Sequence, residues 1–126
     1  MKNAIKLLYT LMCSITGAVL ADVVPVWSVD VAVPGEKVAL YLVDTEVGED
    51  LFSIQKRPGV ENAALEVMQH YAGANPMDPN RARIQVTPLL VTPDAPGAVK
   101  LTNLELQYKS GRNASVAVPQ LSVVSQ

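Results

Sequence analysis

The run V-D-V-A-V-P-G-E-K-V-A-L-Y-L-V-D, from Val29 to Asp44, constrains this chain more than any other stretch. Val29, Val31 and Val33 alternate with Asp30 and Ala32, the chain turns at Pro34-Gly35, and Val38 to Val43 is apolar on both faces. A period of two marks a strand with one face in a core, and a doubly apolar run marks a central strand of a sandwich. Two β-strands joined at a Pro-Gly turn are therefore expected here, in an all-β protein.

The remainder is punctuated by turn chemistry. Lys56-Arg57-Pro58-Gly59, Ala74 to Asn80 (A-N-P-M-D-P-N), Thr92 to Gly97 (T-P-D-A-P-G) and Lys109 to Asn113 (K-S-G-R-N) combine proline, glycine, asparagine and aspartate, which supply fixed or positive φ and local side-chain bonds. Between them lie short strand patterns. Val23 to Val33 places Trp27 on a core face with Val29, Val31 and Val33, and Leu51 to Gln55 places Phe52 and Ile54 together. Arg81 to Val91 reads with Ile84 and Val86 inward and Arg83 and Gln85 outward, until Pro88 breaks the ladder. Val60 to Gly73 is ambiguous: Ala64, Leu65, Met68, Tyr71 and Ala72 fall at helical spacing, whereas Leu65, Val67 and Tyr71 share a period-two face interrupted at Gln69. The all-β context favours the strand.

The last third predicts its own pairing. The apolar parity flips between Leu101 and Leu104 and again between Val118 and Leu121. A hairpin centred on Gly111 would set Leu106 opposite Val116, Leu104 opposite Val118 and Leu101 opposite Leu121, so that both flips meet and the two arms bend together across a corner of the sandwich. The implied loop is Ser110-Gly111-Arg112, with the glycine free to take positive φ. About seven short strands without an alternating helical pattern suit an immunoglobulin-like β-sandwich, here without the disulfide of antibody domains.

Residues 1–21 read as a secretory signal peptide: Lys2 and Lys6, an apolar run from Leu7 to Leu20, and Val19-Leu20-Ala21 before Asp22. A retained anchor is the competing reading, and a lipidated Cys13 is disfavoured by the large Met12 before it. Residues 22–126 then form one domain, exported to the periplasm or secreted, with no membrane span in the mature chain. Cys13 is the only cysteine and would leave with the signal, so no disulfide or cysteine metal site is expected. With Lys2 and Lys6 set aside, 12 acidic residues face 8 basic ones, a balance that repels a phosphate backbone and excludes nucleic acid as a partner.

No catalytic constellation is expected, and neither a cofactor nor a metal. His70 is the only histidine and has no acid or nucleophile spaced to serve it. The acidic stretch Asp44, Glu46, Glu49 and Asp50 departs from the helix-flanked calcium loop, and adjacent carboxylates such as Glu49 and Asp50 point to opposite faces of a strand. Asn113-Ala114-Ser115 matches an N-glycosylation acceptor at a hairpin tip. What remains is partner surface: the acidic loop, the Lys56-Arg57 pair, the N-P-M-D-P-N loop, or an uncovered sheet edge open to strand addition.

The segments V-D-V-A-V-P-G-E-K-V-A-L-Y-L-V (29–43), R-P-G-V-E-N-A (57–63), P-L-L-V-T-P-D-A-P-G-A-V-K-L (88–101) and V-P-Q-L-S-V (118–123) together resemble the N-terminal Ig-like domain of the BatD, or oxygen-tolerance (aerotolerance), family of bacterial envelope proteins. The resemblance implies a non-enzymatic interaction or assembly module of the cell envelope, with an envelope protein carrying a von Willebrand A-type domain as partner. Members of that family look like multi-domain proteins with a later membrane helix, and no such span is expected within residues 22–126. A secreted carbohydrate-binding module is the alternative, although the mature aromatics are only Trp27, Tyr41, Phe52, Tyr71 and Tyr108. A secreted inhibitor or effector is a third class, since binding by loops leaves no motif.

Overall fold

Every regular element among the described residues, 23–125 of a computed structural model, is a β-strand. In chain order they are β1 (Val24–Trp27), β2 (Val31–Ala32), β3 (Val38–Asp44), β4 (Phe52–Lys56), β5 (Gly59–Glu61), β6 (Ala63–Val67), β7 (Tyr71–Gly73), β8 (Ile84–Pro93), β9 (Gly97–Thr102), β10 (Leu104–Tyr108), β11 (Asn113–Val116) and β12 (Leu121–Val123). The expected signal peptide and Cys13 lie outside the described residues.

The first layer is a five-stranded sheet in the order β1-β3-β8-β6, with β7 also paired to β8. The second layer consists of β11-β10-β4 and β2-β12-β9-β5. These two smaller sheets share strands end to end, because β4 runs on into β5, β9 into β10 and β11 towards β12. Joined in this way the chain has seven long strands plus the short β2, with the first, second, fifth and fourth in one layer and the third, sixth and seventh in the other. That arrangement is the immunoglobulin-like sandwich. Segment 60–73, ambiguous by periodicity, is strand throughout its regular parts.

The core between the layers holds Leu40, Leu42, Leu89, Val91, Val99, Leu104, Leu106 and Leu121 with almost no exposed surface. Each such side chain contributes roughly 1.5–3 kcal/mol by leaving water. Trp27 packs against this core from its rim and donates its indole N–H to the Pro119 carbonyl at 2.8 Å.

The structure corrects several expectations. Pro34-Gly35 does turn the chain, with Glu36 N–H donating to the Val33 carbonyl and Gly35 at φ +85°, but the two arms do not pair. β3 pairs with β1 and β8, whereas β2 crosses to the second layer and runs parallel to β12, burying Ala32 and exposing Val31. Alternation fixes which face a residue takes, not which strand lies beside it.

In β8 the inward face is Gln85, Thr87, Leu89 and Val91, so Gln85 is inside and Val86 faces out. Pro88 does not end this strand. Its carbonyl accepts from Met68 N–H, and its missing N–H points to the same side, where β6 and β7 are separated. Proline is tolerated inside a sheet beside such a bulge. The bulge adds one residue between Val67 (paired with Leu89) and Tyr71 (paired with Val86), which puts Tyr71 on the opposite face from Leu65 and Val67.

The terminal hairpin keeps the expected loop length but not the register. Tyr108 N–H donates to the Arg112 carbonyl and Gly111 N–H to the Tyr108 carbonyl, making the loop Lys109-Ser110-Gly111 with Gly111 at φ +96°. Leu104 therefore faces Val116, Leu106 faces Ala114, and Leu121 faces Val99. Glycine takes the last loop position rather than the centre, because the residue closing a three-residue loop is the one in the left-handed region. The paired bend is present: Asn103, at φ 59°, joins β9 to β10 as the hairpin passes from one small sheet to the other.

Candidate functional site

The two outer faces of the sandwich differ in chemistry. Outward from the second layer point Ser53 and Gln55 of β4, Glu105 and Gln107 of β10, Asn113 and Ser115 of β11, and Lys100 and Thr102 of β9, all exposed. Val31 of β2, 49 % exposed, is the apolar exception on what is otherwise the polar exterior expected of a sheet with one face in water.

The first layer has the opposite character. Register places its outward residues in rows across the strands: Val24, Val43, Val86 and Tyr71 form one, and Val26, Tyr41 and Pro88, with Met68 bonded to the Pro88 carbonyl, form the next. A third row holds Ala39, Leu90 and Glu66, beside Ser28, whose N–H donates to the Ala39 carbonyl. Val24 is 57 % exposed, Tyr71 54 % and Tyr41 38 %. The first two rows carry no charge. At one end of this face Lys37, Glu66, Leu90 and Thr92 line a shallow groove of about 290 Å³. Contiguous exposed apolar surface of this kind marks an interaction site more often than scattered apolar residues do.

The surface features singled out by sequence have other occupations. The acidic carboxylates are dispersed: Asp44 is buried, accepting from Tyr108 Oη at 2.8 Å and from Glu46 N–H at 2.9 Å. Glu46 meets Arg81 at 3.2 Å, Glu49 meets Arg83 at 2.9 Å, and Asp50 accepts from Ser110 N–H and Oγ. No three His, Cys, Asp or Glu side chains converge as a metal site among the described residues. Arg57 is not simply solvated, since its guanidinium donates to the Leu65 carbonyl.

In the N-P-M-D-P-N loop, Asn75 and Asp78 bond the backbone two residues on, and Met77 at the tip is 90 % exposed. His70 is exposed between β6 and β7, at a depression of about 400 Å³ shared with Ser53, Gln107, Tyr108 and Lys109. No carboxylate lines that depression, and no hydrogen bond joins Ser53 to His70 among the described residues, so it holds no acid–base–nucleophile series. The candidate N-glycosylation residue Asn113 is exposed and lies opposite Gln107 at the start of β11.

Sequence reasoning missed the apolar face because it turned Val86 inward and set Tyr71 on one face with Leu65 and Val67. The signal was present in β8, where Ile84, Val86, Pro88 and Leu90 alternate with Gln85, Thr87, Leu89 and Val91. A strand apolar in both phases has two covered faces or one face awaiting cover.

The strand order and these faces define an immunoglobulin-like β-sandwich with one apolar exterior. No family model matches the chain, and no curated protein does. Among solved structures, a cohesin module from a family 33 glycoside hydrolase of Clostridium perfringens ATCC13124 is similar at 15 % identity and a TM-score of 0.38, over 82 % of this chain and 98 % of that one. The strand order, not that likeness, defines the fold described above.

Proposed function

We propose that this protein is a non-enzymatic interaction or assembly module that docks onto another protein surface through the outer face of its first layer. The observation that carries this reading is the contrast between the uncharged rows around Tyr41 and Val86 and the polar exterior of the second layer. Covering such a face removes apolar area from water at roughly 25 cal/mol per Å², a driving force that needs no catalytic or metal chemistry. The resemblance of segments 29–43, 57–63, 88–101 and 118–123 to the BatD family supports export to the bacterial envelope as the setting.

Two exposed tyrosines on one face, Tyr41 and Tyr71, favour glycan binding as a second reading. Sugars, however, stack on rings while bonding their hydroxyls to nearby polar groups, and the residues around these rings are Val24, Val26, Val43, Val86 and Pro88. That setting suits a protein surface better.

The test is site-specific photocrosslinking in living cells, with a photoreactive residue in place of Tyr41 or Val86 and, as controls, of Glu105 or Gln107. One partner, identified by its peptides, should be captured from positions 41 and 86 and lost when Tyr71→Lys is added. Equal capture from both layers, or none from either, would sink the docking reading.

A further inference from the structure

We infer that the surface which covers this apolar face is the same face of a second copy of the chain. The inference rests on the docking reading and names its occupant. Consider a two-fold axis running along the strands in the interface, midway between β3 and β8. It sets β3 of one copy over β8 of the other and β1 over the β6/β7 edge, keeping the strands nearly aligned as packed sheets require.

Because the outward residues lie in rows, each row then meets its own reverse. Ala39 faces Leu90 of the second copy, Tyr41 faces its Pro88, Val43 its Val86, Val24 its Tyr71, and Val26 its Met68. Apart from the matched valines, a large side chain meets a smaller or flatter one at every pair, the alternation that lets two layers interdigitate without voids. A face whose large residues were spread evenly over both halves would collide with its own image.

Charge agrees with shape. A symmetric interface brings like surface to like surface, so charges near its centre repel. Here the central rows are uncharged, and the two charges at the end lie on different halves: Lys37 precedes β3 and Glu66 is in β6. The axis sets Lys37 of each copy diagonally across from Glu66 of the other, within reach of long side chains, and does so twice per dimer. Four strands about 4.8 Å apart, with outward residues from Val86 to Thr92 at about 3.3 Å per residue, give a footprint of roughly 400 Å² on each copy, Ile84 being already buried. Two such footprints lie below the range of standard stable interfaces, which corresponds to a weak, reversible dimer.

The test uses the product of the full coding sequence, purified after export, with its N-terminus read by intact mass so that residues 1–21 cannot supply the association. Sedimentation equilibrium should show a monomer–dimer equilibrium with a dissociation constant on the order of micromolar. Tyr41→Lys should abolish the dimer while leaving the circular dichroism spectrum unchanged. Lys37→Glu alone and Glu66→Lys alone should each weaken it roughly tenfold by like-charge juxtaposition. The double variant should recover the parent value, and mixing the two single variants should yield a heterodimer, since each then supplies the charge the other lacks.

A dimer unaffected by Tyr41→Lys, or by either charge substitution, would overturn the inference by placing the contact elsewhere. So would a chain that stays monomeric at about 0.1 mM. In that last case the crosslinks at positions 41 and 86 separate the two ideas: capture of a different protein leaves the docking reading standing, and capture of none removes both.

Discussion

Gln85 occupies a core position with a polar side chain and no exposed surface. It can do so because its amide completes the backbone of the facing layer, with Oε1 accepting from Phe52 N–H at 2.8 Å and Nε2 donating to the Phe52 carbonyl at 2.7 Å. Nε2 also reaches Thr87 Oγ1, so β8 and β4 are joined across the sandwich by one side chain. Gln85→Leu keeps the volume and strands both Phe52 groups, each of which costs about 1–3 kcal/mol when buried unpaired. Urea unfolding should therefore report a loss of about 2–5 kcal/mol. A loss under about 1 kcal/mol would mean that water reaches Phe52 and that the bridge is dispensable. The same residue shows where the sequence ceases to be legible. Polarity assigned Gln85 outward, because its partner is a backbone group 33 positions away that no local pattern reveals. By contrast Phe52, Leu104, Leu106 and Tyr108, whose apolar bodies need no particular partner to be buried, were placed correctly by alternation alone.

At the scale of elements, the long hairpin is governed by two residues in the left-handed region. Gly111 closes the loop at φ +96°, and Asn103 carries the bend at φ 59°. Asparagine tolerates that region because its short polar side chain can bond locally, whereas a β-branched residue there is strained. Asn103→Val should cost roughly 1–2 kcal/mol in urea unfolding, and Asn103→Gly should be within about 0.5 kcal/mol of the parent. Equal losses in both variants would assign the effect to the asparagine side chain and not to the backbone. Gly111→Ala meets no heavy atom within 4 Å, so any cost there is conformational as well. The bend itself was readable, since Leu101 and Leu104 are both buried while Thr102 and Asn103 are exposed, a flip of parity visible in the sequence. The pairing was displaced by two residues because glycine's position within a three-residue loop, and not merely its presence, sets the register. Segment 63–73 repeats the lesson: Pro88 on the neighbouring strand creates the bulge that turns Tyr71 outward, and nothing within 63–73 announces it.

For the whole molecule, the distribution of charge and apolar area determines which conditions will matter. The ion pairs Arg81–Glu46 and Arg83–Glu49 tie the 44–50 loop to the approach to β8, but their side chains are substantially exposed. Exposed pairs contribute about 0–1 kcal/mol each and weaken further as salt shortens the screening length to about 3 Å at 1 M. The core that holds the layers together is apolar, from Leu40 and Leu42 in β3 through Leu89 and Val91 in β8 to Leu104 and Leu106 in β10. Stability in urea should thus change by no more than about 1 kcal/mol between low salt and 1 M sodium chloride. Leu89→Ala, a truncation at the centre of that core, should cost about 2–5 kcal/mol at either salt concentration. If salt instead removed several kcal/mol, the loop 44–50 and its arginine partners would be holding the layers together, and the apolar core would have to be incompletely packed. The same experiment also bears on the docking face. Its central rows carry no charge, so salt should leave their contribution to association intact and reduce only the share supplied at the rim by Lys37 and Glu66.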